Sequence, residues 1–193
     1  MFKIWKRHYY EADGQGNMPA CVKEGRILMT SKKCTSGLLT FYLIALTWII
    51  IFKLQFSITD LPHLRNINLI PFGDSVITNG TIDFDEIIQN LLAFIPYGLL
   101  MHILWEKKSF LKQIAPIVCT SFLFEAVQFI FAIGASDITD IIANSMGGIM
   151  GVLIAVGISK VSKKHWIGLI NIVSLIGAIL LSLLIAILLL SNL

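Results

Sequence analysis

Charge is scarce in this sequence. Asp, Glu, Lys and Arg make up 14% of its 193 residues, where a soluble domain carries about 25%. That shortage excludes a charge-coated, water-facing surface over most of the chain. Cysteine is thin as well. Cys21 and Cys34 fall on the segment expected in the cytoplasm and Cys119 falls inside an apolar run, so no disulfide framework is expected. His8, His63, His102 and His165 are isolated and lack metal-ligand spacing. No phosphate loop, dinucleotide fingerprint or nucleophile elbow occurs, and there is no internal repeat. No catalytic residue can be assigned from such a sequence.

Apolar residues are abundant, at 56%, and they fall into blocks long enough to cross a bilayer, which takes roughly 20 helical residues. The blocks run Leu38 to Phe56, Ile87 to Trp105, Ile114 to Ile133, Ile138 to Ile158 and Trp166 to Leu190. Pro116 is expected in the first turn of the third, where proline costs little. Trp48, Trp105 and Trp166 are candidate interfacial anchors. The fold class expected is all-α, a polytopic membrane bundle of about five transmembrane helices. A four-crossing arrangement with one re-entrant block is the alternative.

Basic residues give the orientation. Of the 15 Lys and Arg, all but Lys53 and Arg65 fall in the leading segment, the second connection or the fourth connection. These alternate correctly to share one side, so the N-terminus is expected in the cytoplasm. The expected organisation is a polar basic cytoplasmic segment over residues 1–36, a four-helix membrane domain over 37–158 with an outer loop at 57–86, and an additional helix at 166–190. The formal net charge of +3 then reads as a topology and lipid-contact signal, with no nucleic-acid partner. The start MFKIWKRHYY mixes basic and aromatic residues and suits a membrane surface. It does not read as a cleavable signal. Met29 is an alternative translation start.

Polar residues inside a bilayer are expensive and need a reason. Glu125 and Gln128 share a face of the third span. Glu125 lies about 17 Å along the axis from Ile114, just past the midplane. A carboxyl at that depth must be protonated, paired or in contact with water. In the fourth span, Asp137, Asp140 and Asn144 share a face with Gly147, Gly148 and Gly151. The glycines permit close approach of a neighbouring helix, and Gly147-x-x-x-Gly151 fits small-residue packing. Asn90 lies near the outer end of the second span, and Pro96 should kink its middle. The six polar residues therefore converge on the outer half of the domain, as candidate ligand-binding residues. Each has a structural alternative. Asp137 suits a helix N-cap, Asp140 a first-turn acid, and Asn90, Gln128 and Asn144 suit interhelical bonding. The outer loop adds several acids, and its apolar, proline-broken middle, RNINLIPFGDS, is expected to dip back onto the bundle.

With those residues in view, the chain resembles the VanZ-like family of small bacterial membrane proteins. The likeness covers roughly Leu38 to Gly151. It rests on NLIPF from Asn68, on N-x-x-x-F-I-P-Y-G from Asn90, on Glu125-x-x-Gln128 and on D-I-T-D-I-I-A-N-S-M-G-G from Asp137. The family pattern often places an arginine before Asp137 and a second acid before Asp140; here Gly134-Ala135-Ser136 and Thr139 occupy those places. The resemblance implies a bacterial cytoplasmic-membrane protein of the cell envelope, associated with resistance to teicoplanin-type glycopeptides. Three readings follow. The favoured one is an outward-facing acidic and amide pocket that binds an amphiphile, either a lipoglycopeptide or a lipid-linked wall precursor. The others are an enzyme acting on a lipid-linked substrate at the outer leaflet and a small proton-coupled transporter. No cofactor is predicted, with a divalent metal at the outer acidic cluster as the alternative. Membrane lipid is the expected partner, and a homo-oligomer is left open.

Overall fold

The computed structural model describes residues 28–52, 64–72, 77–78, 81–82 and 84–191. Five helices dominate it: α1 (Lys32–Phe52), α2 (Asp85–Trp105), α3 (Phe110–Phe131), α4 (Ile138–Val161) and α5 (Trp166–Ser191). Each is long and apolar enough to cross a membrane. Their outward faces carry large exposed apolar side chains, among them Phe122, Leu123, Ile130 and Leu153. Such surface is stable only against lipid or protein, so the chain is a multi-pass membrane bundle. The expectations for MFKIWKRHYY, Cys21, Lys53 and most of the outer loop lie outside the described residues.

Helix ends differ from the apolar runs for local reasons. α1 begins at Lys32 rather than Leu38, because Ser31 Oγ accepts the backbone N–H of Lys33 at 3.2 Å and caps the helix. α3 begins at Phe110, so Pro116 lies inside the helix and not in its first turn. A polar first turn can be helical without being apolar, which is why the hydropathy edge misses it.

α2 and α4 form the tightest contact in the bundle. A Cβ added at Gly147 would lie 2.0 Å from the Leu91 carbonyl oxygen, and one at Gly151 would lie 2.1 Å from that of Ile95. From the other side, a Cβ at Gly98 would lie 2.0 Å from the Gly148 carbonyl oxygen. Gly148 faces α3, where an added Cβ would meet Ile117 Cγ2 at 2.4 Å. The helix meeting the backbone of α4 is therefore α2, two spans back, and not its chain neighbour α3.

The core is built around this pair. Leu46, Ile50 and Ile51 of α1, Phe94 and Tyr97 of α2, Ile117 and Phe124 of α3 and Val152 of α4 pack together. The Phe94 and Phe124 rings meet edge-on at 6.3 Å. Tyr42 of α1 donates its hydroxyl to the Ala93 carbonyl of α2, next to Pro96. A second cluster, including Leu100, Ile103, Ala155, Trp166 and Ile170, closes the opposite end. There His102 Nδ1 bonds Gln113 Oε1 at 2.9 Å, and Trp166 packs against the His102 ring. The turns bearing Lys107, Lys108, Lys163 and Lys164 belong to this end.

α5 is peripheral. Its buried residues all fall within Trp166–Asn171. Asn171 is fully buried, accepts from Thr35 Oγ1 at 3.0 Å and donates to the Met29 carbonyl at 2.7 Å.

Two short ribbons interrupt the helices. β2 (Ile77–Thr78) pairs antiparallel with β3 (Thr81–Ile82). β1 (Leu64–Asn68) pairs in parallel with β4 (Ile133–Asp137), in a register that sets Asn68 beside Asp137. A parallel pair needs a long crossover, and α2 with α3 supplies it. The outer-loop stretch that includes RNINL thus packs onto the end of the bundle.

Candidate functional site

The residues that cost most to bury lie where α3 hands over to α4. α3 ends at Ala132, whose left-handed backbone (φ 55°) donates to the Gln128 and Phe129 carbonyls. This C-cap reverses the chain and lays β4 back against the helix it has just left. Glu125 holds it there. Its Oε2 accepts the Asp137 backbone N–H at 3.0 Å, and its carbonyl oxygen accepts Ser136 Oγ–H at 2.9 Å. The side chain is 5% exposed.

Asp137 ends β4 and caps α4. Its Oδ1 accepts the Thr139 N–H at 2.8 Å, and its Oδ2 accepts Asn68 Nδ2 at 3.2 Å. Asn68 Oδ1 in turn accepts the Ile70 N–H at 3.0 Å, while Thr139 Oγ1 accepts the Phe72 N–H at 3.1 Å. The N-terminus of α4 and the segment after β1 are stitched together by side chains of both. Thr139, standing where the family pattern often carries an acid, serves this stitch.

The other four candidates point elsewhere. Asp140, in the first turn of α4, accepts Asn90 Nδ2 of α2 at 2.7 Å. Gln128 donates Nε2 to the Ile50 carbonyl of α1 at 3.1 Å. Only the amide nitrogen can donate to a carbonyl, so this bond fixes which end of the amide is oxygen. Among the described residues, that Oε1 has no hydrogen-bond partner, although Gln128 is 4% exposed. Asn144 is fully buried; its Nδ2 donates to Ser121 Oγ at 3.0 Å, and its Oδ1 has no partner among the described residues.

The six residues do not share one pocket. Glu125 and Asp137 border an apolar cleft of about 360 Å³, walled by Ile67, Leu69, Phe122, Phe129 and Ile141. Gln128, Asp140 and Asn90 line a separate recess of about 170 Å³ with Glu86, Gln89 and Ile50. Asn144 borders neither. The two spaces have no lining residue in common. Pro96 belongs to a third space, a crevice of about 240 Å³ that α1, α2 and α5 line almost wholly with apolar residues.

Several participants escape the sequence reading. Ser121 sits one helical turn before Glu125, a spacing that could have revealed it. Asn68 was visible only as part of NLIPF. Ser136 and Thr139 carry no signal of their own, because the backbone groups they meet are distant in sequence. Among the described residues no three His, Cys, Asp or Glu side chains cluster to hold a metal ion.

The family model described as VanZ/LLP1 matches residues 39–161. That stretch contains all six candidate residues, runs past the Gly151 limit of the motif likeness, and stops before α5. Protein VanZ of Enterococcus faecium is 41% identical over 136 residues, which cover 69% of this chain and 78% of that protein. No solved structure matches. With the five-helix membrane architecture and a family match over most of its length, the chain belongs to the VanZ/LLP1 family.

Proposed function

We propose that this VanZ-like protein sits in the bacterial cytoplasmic membrane and contributes to resistance against teicoplanin-type glycopeptides by holding an amphiphilic envelope ligand at the Glu125–Asp137 end of the bundle. The observation that carries this is the cleft itself: an apolar space of about 360 Å³ bordered by two buried carboxylates and the Asn68 amide. Ligand sites are mostly apolar with a few placed polar groups, and they span about 300–1,000 Å³. At the low end of that range, the cleft takes part of a lipid chain and its junction with a polar head, not a whole lipoglycopeptide. The ligand is a lipoglycopeptide or a lipid-linked wall precursor. The basic turns at the opposite end orient the cleft outward by the positive-inside rule.

A hydrolytic or transfer reading is less favoured. Both oxygens of Asp137 and one of Glu125 hold backbone or amide hydrogens that build the fold, so these carboxylates act first as acceptors of fixed donors.

The test is expression in a teicoplanin-susceptible Gram-positive host. The wild-type chain should raise the inhibitory concentration of teicoplanin several-fold. Ala126→Phe, which adds a ring at a residue lining the cleft, should abolish the increase at equal membrane abundance. Full resistance with the cleft filled would refute the reading.

A further inference from the structure

The segment that follows β1 is apolar, irregular and exposed. Ile67, Leu69, Ile70, Pro71 and Phe72 are all exposed. We infer that residues 67–72 form a re-entrant loop embedded among the acyl chains of the leaflet at the Glu125–Asp137 end. The cleft that this loop walls then opens sideways into the membrane. This goes beyond the reading above and holds whether or not an envelope ligand occupies the cleft.

Depth comes first. Lys112, exposed near the start of α3, marks the polar boundary at the basic end. From Lys112 to Glu125 is about 20 Å of helix at 1.5 Å per residue. The hydrocarbon core is about 30 Å thick, so Glu125 lies about 10 Å inside its far boundary. Tilting the helix only deepens it. β4 folds back to this level, because Glu125 accepts the Asp137 N–H and Asp137 stands beside Asn68 in the β1–β4 register. The chain past Asn68 therefore starts below the bilayer surface. It does not climb back by residue 72, since the Phe72 N–H is held by Thr139 in the first turn of α4.

The backbone suits that depth. In hydrocarbon a backbone donor must find its acceptor within the protein. The Ile70 N–H goes to Asn68 Oδ1 at 3.0 Å, Pro71 has none, and the Phe72 N–H goes to Thr139 Oγ1 at 3.1 Å. Across these three residues no N–H is left for water. Phe72 holds a left-handed backbone (φ 58°), which a bulky residue keeps only where its surroundings enforce it. The loop is thus fixed, with these donors turned to the protein. Its side chains suit the same place. No charged residue occurs from Asn66 to Gly73, and Leu69 and Ile70 are 71% and 68% exposed. Apolar surface of this kind needs a partner, and its neighbour shows which. Phe122, exposed on the membrane-spanning α3, walls the same cleft as Ile67 and Leu69. Acyl chains are the solvent common to both walls.

The test places a nitroxide on Leu69→Cys or Ile70→Cys in the full chain, with Cys21, Cys34 and Cys119 changed to serine. The protein is reconstituted in nanodiscs of phosphatidylglycerol and phosphatidylethanolamine. Oxygen concentrates in hydrocarbon and a nickel chelate stays in water, so collision rates with the two report depth. Lys108→Cys in a basic turn is the aqueous reference, and Leu183→Cys on the exposed face of α5 is the lipid reference. At both loop positions the oxygen-to-nickel ratio should exceed the value at 108 several-fold and match that at 183. A ratio at either position equal to that at 108 places the loop in water and overturns the inference. Low access to both reagents overturns it too. Spectral broadening that fades on dilution with unlabelled chain then assigns a second copy as the cover, and its absence assigns the chain itself. If the serine background fails to fold, benzoylphenylalanine at position 70 in the native-cysteine chain serves in the same nanodiscs. Acyl-chain adducts support the placement, and their absence overturns it.

Discussion

Glu125 and Asp137 meet through the backbone: the Glu125 carboxylate accepts the Asp137 N–H at 3.0 Å, and both residues are buried. The carboxylate of one helix thereby seats the N-cap of the next. Hydrogen bonds to a charged partner contribute about 1.5–3 kcal/mol, so Glu125→Ala should lower stability by about 2 kcal/mol. Glu125→Gln keeps an acceptor of the same length and should cost less than half of that. Thermal unfolding of the purified variants in one detergent checks the order, and an Ala variant as stable as wild type would remove the structural role.

The α2–α4 contact predicts a sharp difference between glycines. Gly151→Ala drives a Cβ against the Ile95 carbonyl and should cost about 1–3 kcal/mol by overpacking. Gly157, in the same helix, has nothing within 4 Å of its would-be Cβ, and Gly157→Ala should be neutral or slightly stabilising. Comparing their unfolding temperatures tests whether the glycine face is a contact surface.

What the sequence makes legible here follows from distance along the chain. The five spans are readable because each is a continuous apolar run; their N-terminal edges fail where a polar first turn, as at Lys32, continues the helix, and the third run overshoots α3 because Ile133 belongs to β4. The partner of the glycine face is not readable, since spacing marks a close contact without saying which helix makes it. The β1–β4 ribbon is hidden for a related reason. Gly134, Ala135, Ser136 and Asp137 are poor strand formers, and only a segment far away in sequence makes them a strand. The polar cluster splits in two because residues three apart on a helix differ by about 60° around its axis. Glu125 turns toward β4 while Gln128 turns toward α1.

Ser121 and Asn144 should behave as a coupled pair. Ser121→Ala leaves the buried Asn144 amide without its one partner and should cost about 1–3 kcal/mol. Adding Asn144→Val removes the stranded group and should recover most of that loss. A double-mutant cycle on unfolding free energy measures the coupling, and simple additivity would contradict it.

Ala132 holds a left-handed conformation, at φ 55°, that costs an L-residue about 1–2 kcal/mol. Ala132→Gly should therefore stabilise the chain by about 1 kcal/mol, read as a rise in unfolding temperature. A fall would mean that the α3 C-cap is not shaped as described.

An amphiphile in the cleft beside Glu125 and Asp137 can be trapped by photocrosslinking in living cells. A benzoylphenylalanine placed at position 122, on the cleft wall, should form an adduct with a lipoglycopeptide of the teicoplanin type or with a lipid-linked wall precursor. The same group at position 183, on the exposed face of α5, should not, and Ala126→Phe should suppress the adduct at 122. Equal labelling at the two positions, or labelling at 122 that persists with the cleft filled, would mean that no amphiphile occupies the cleft.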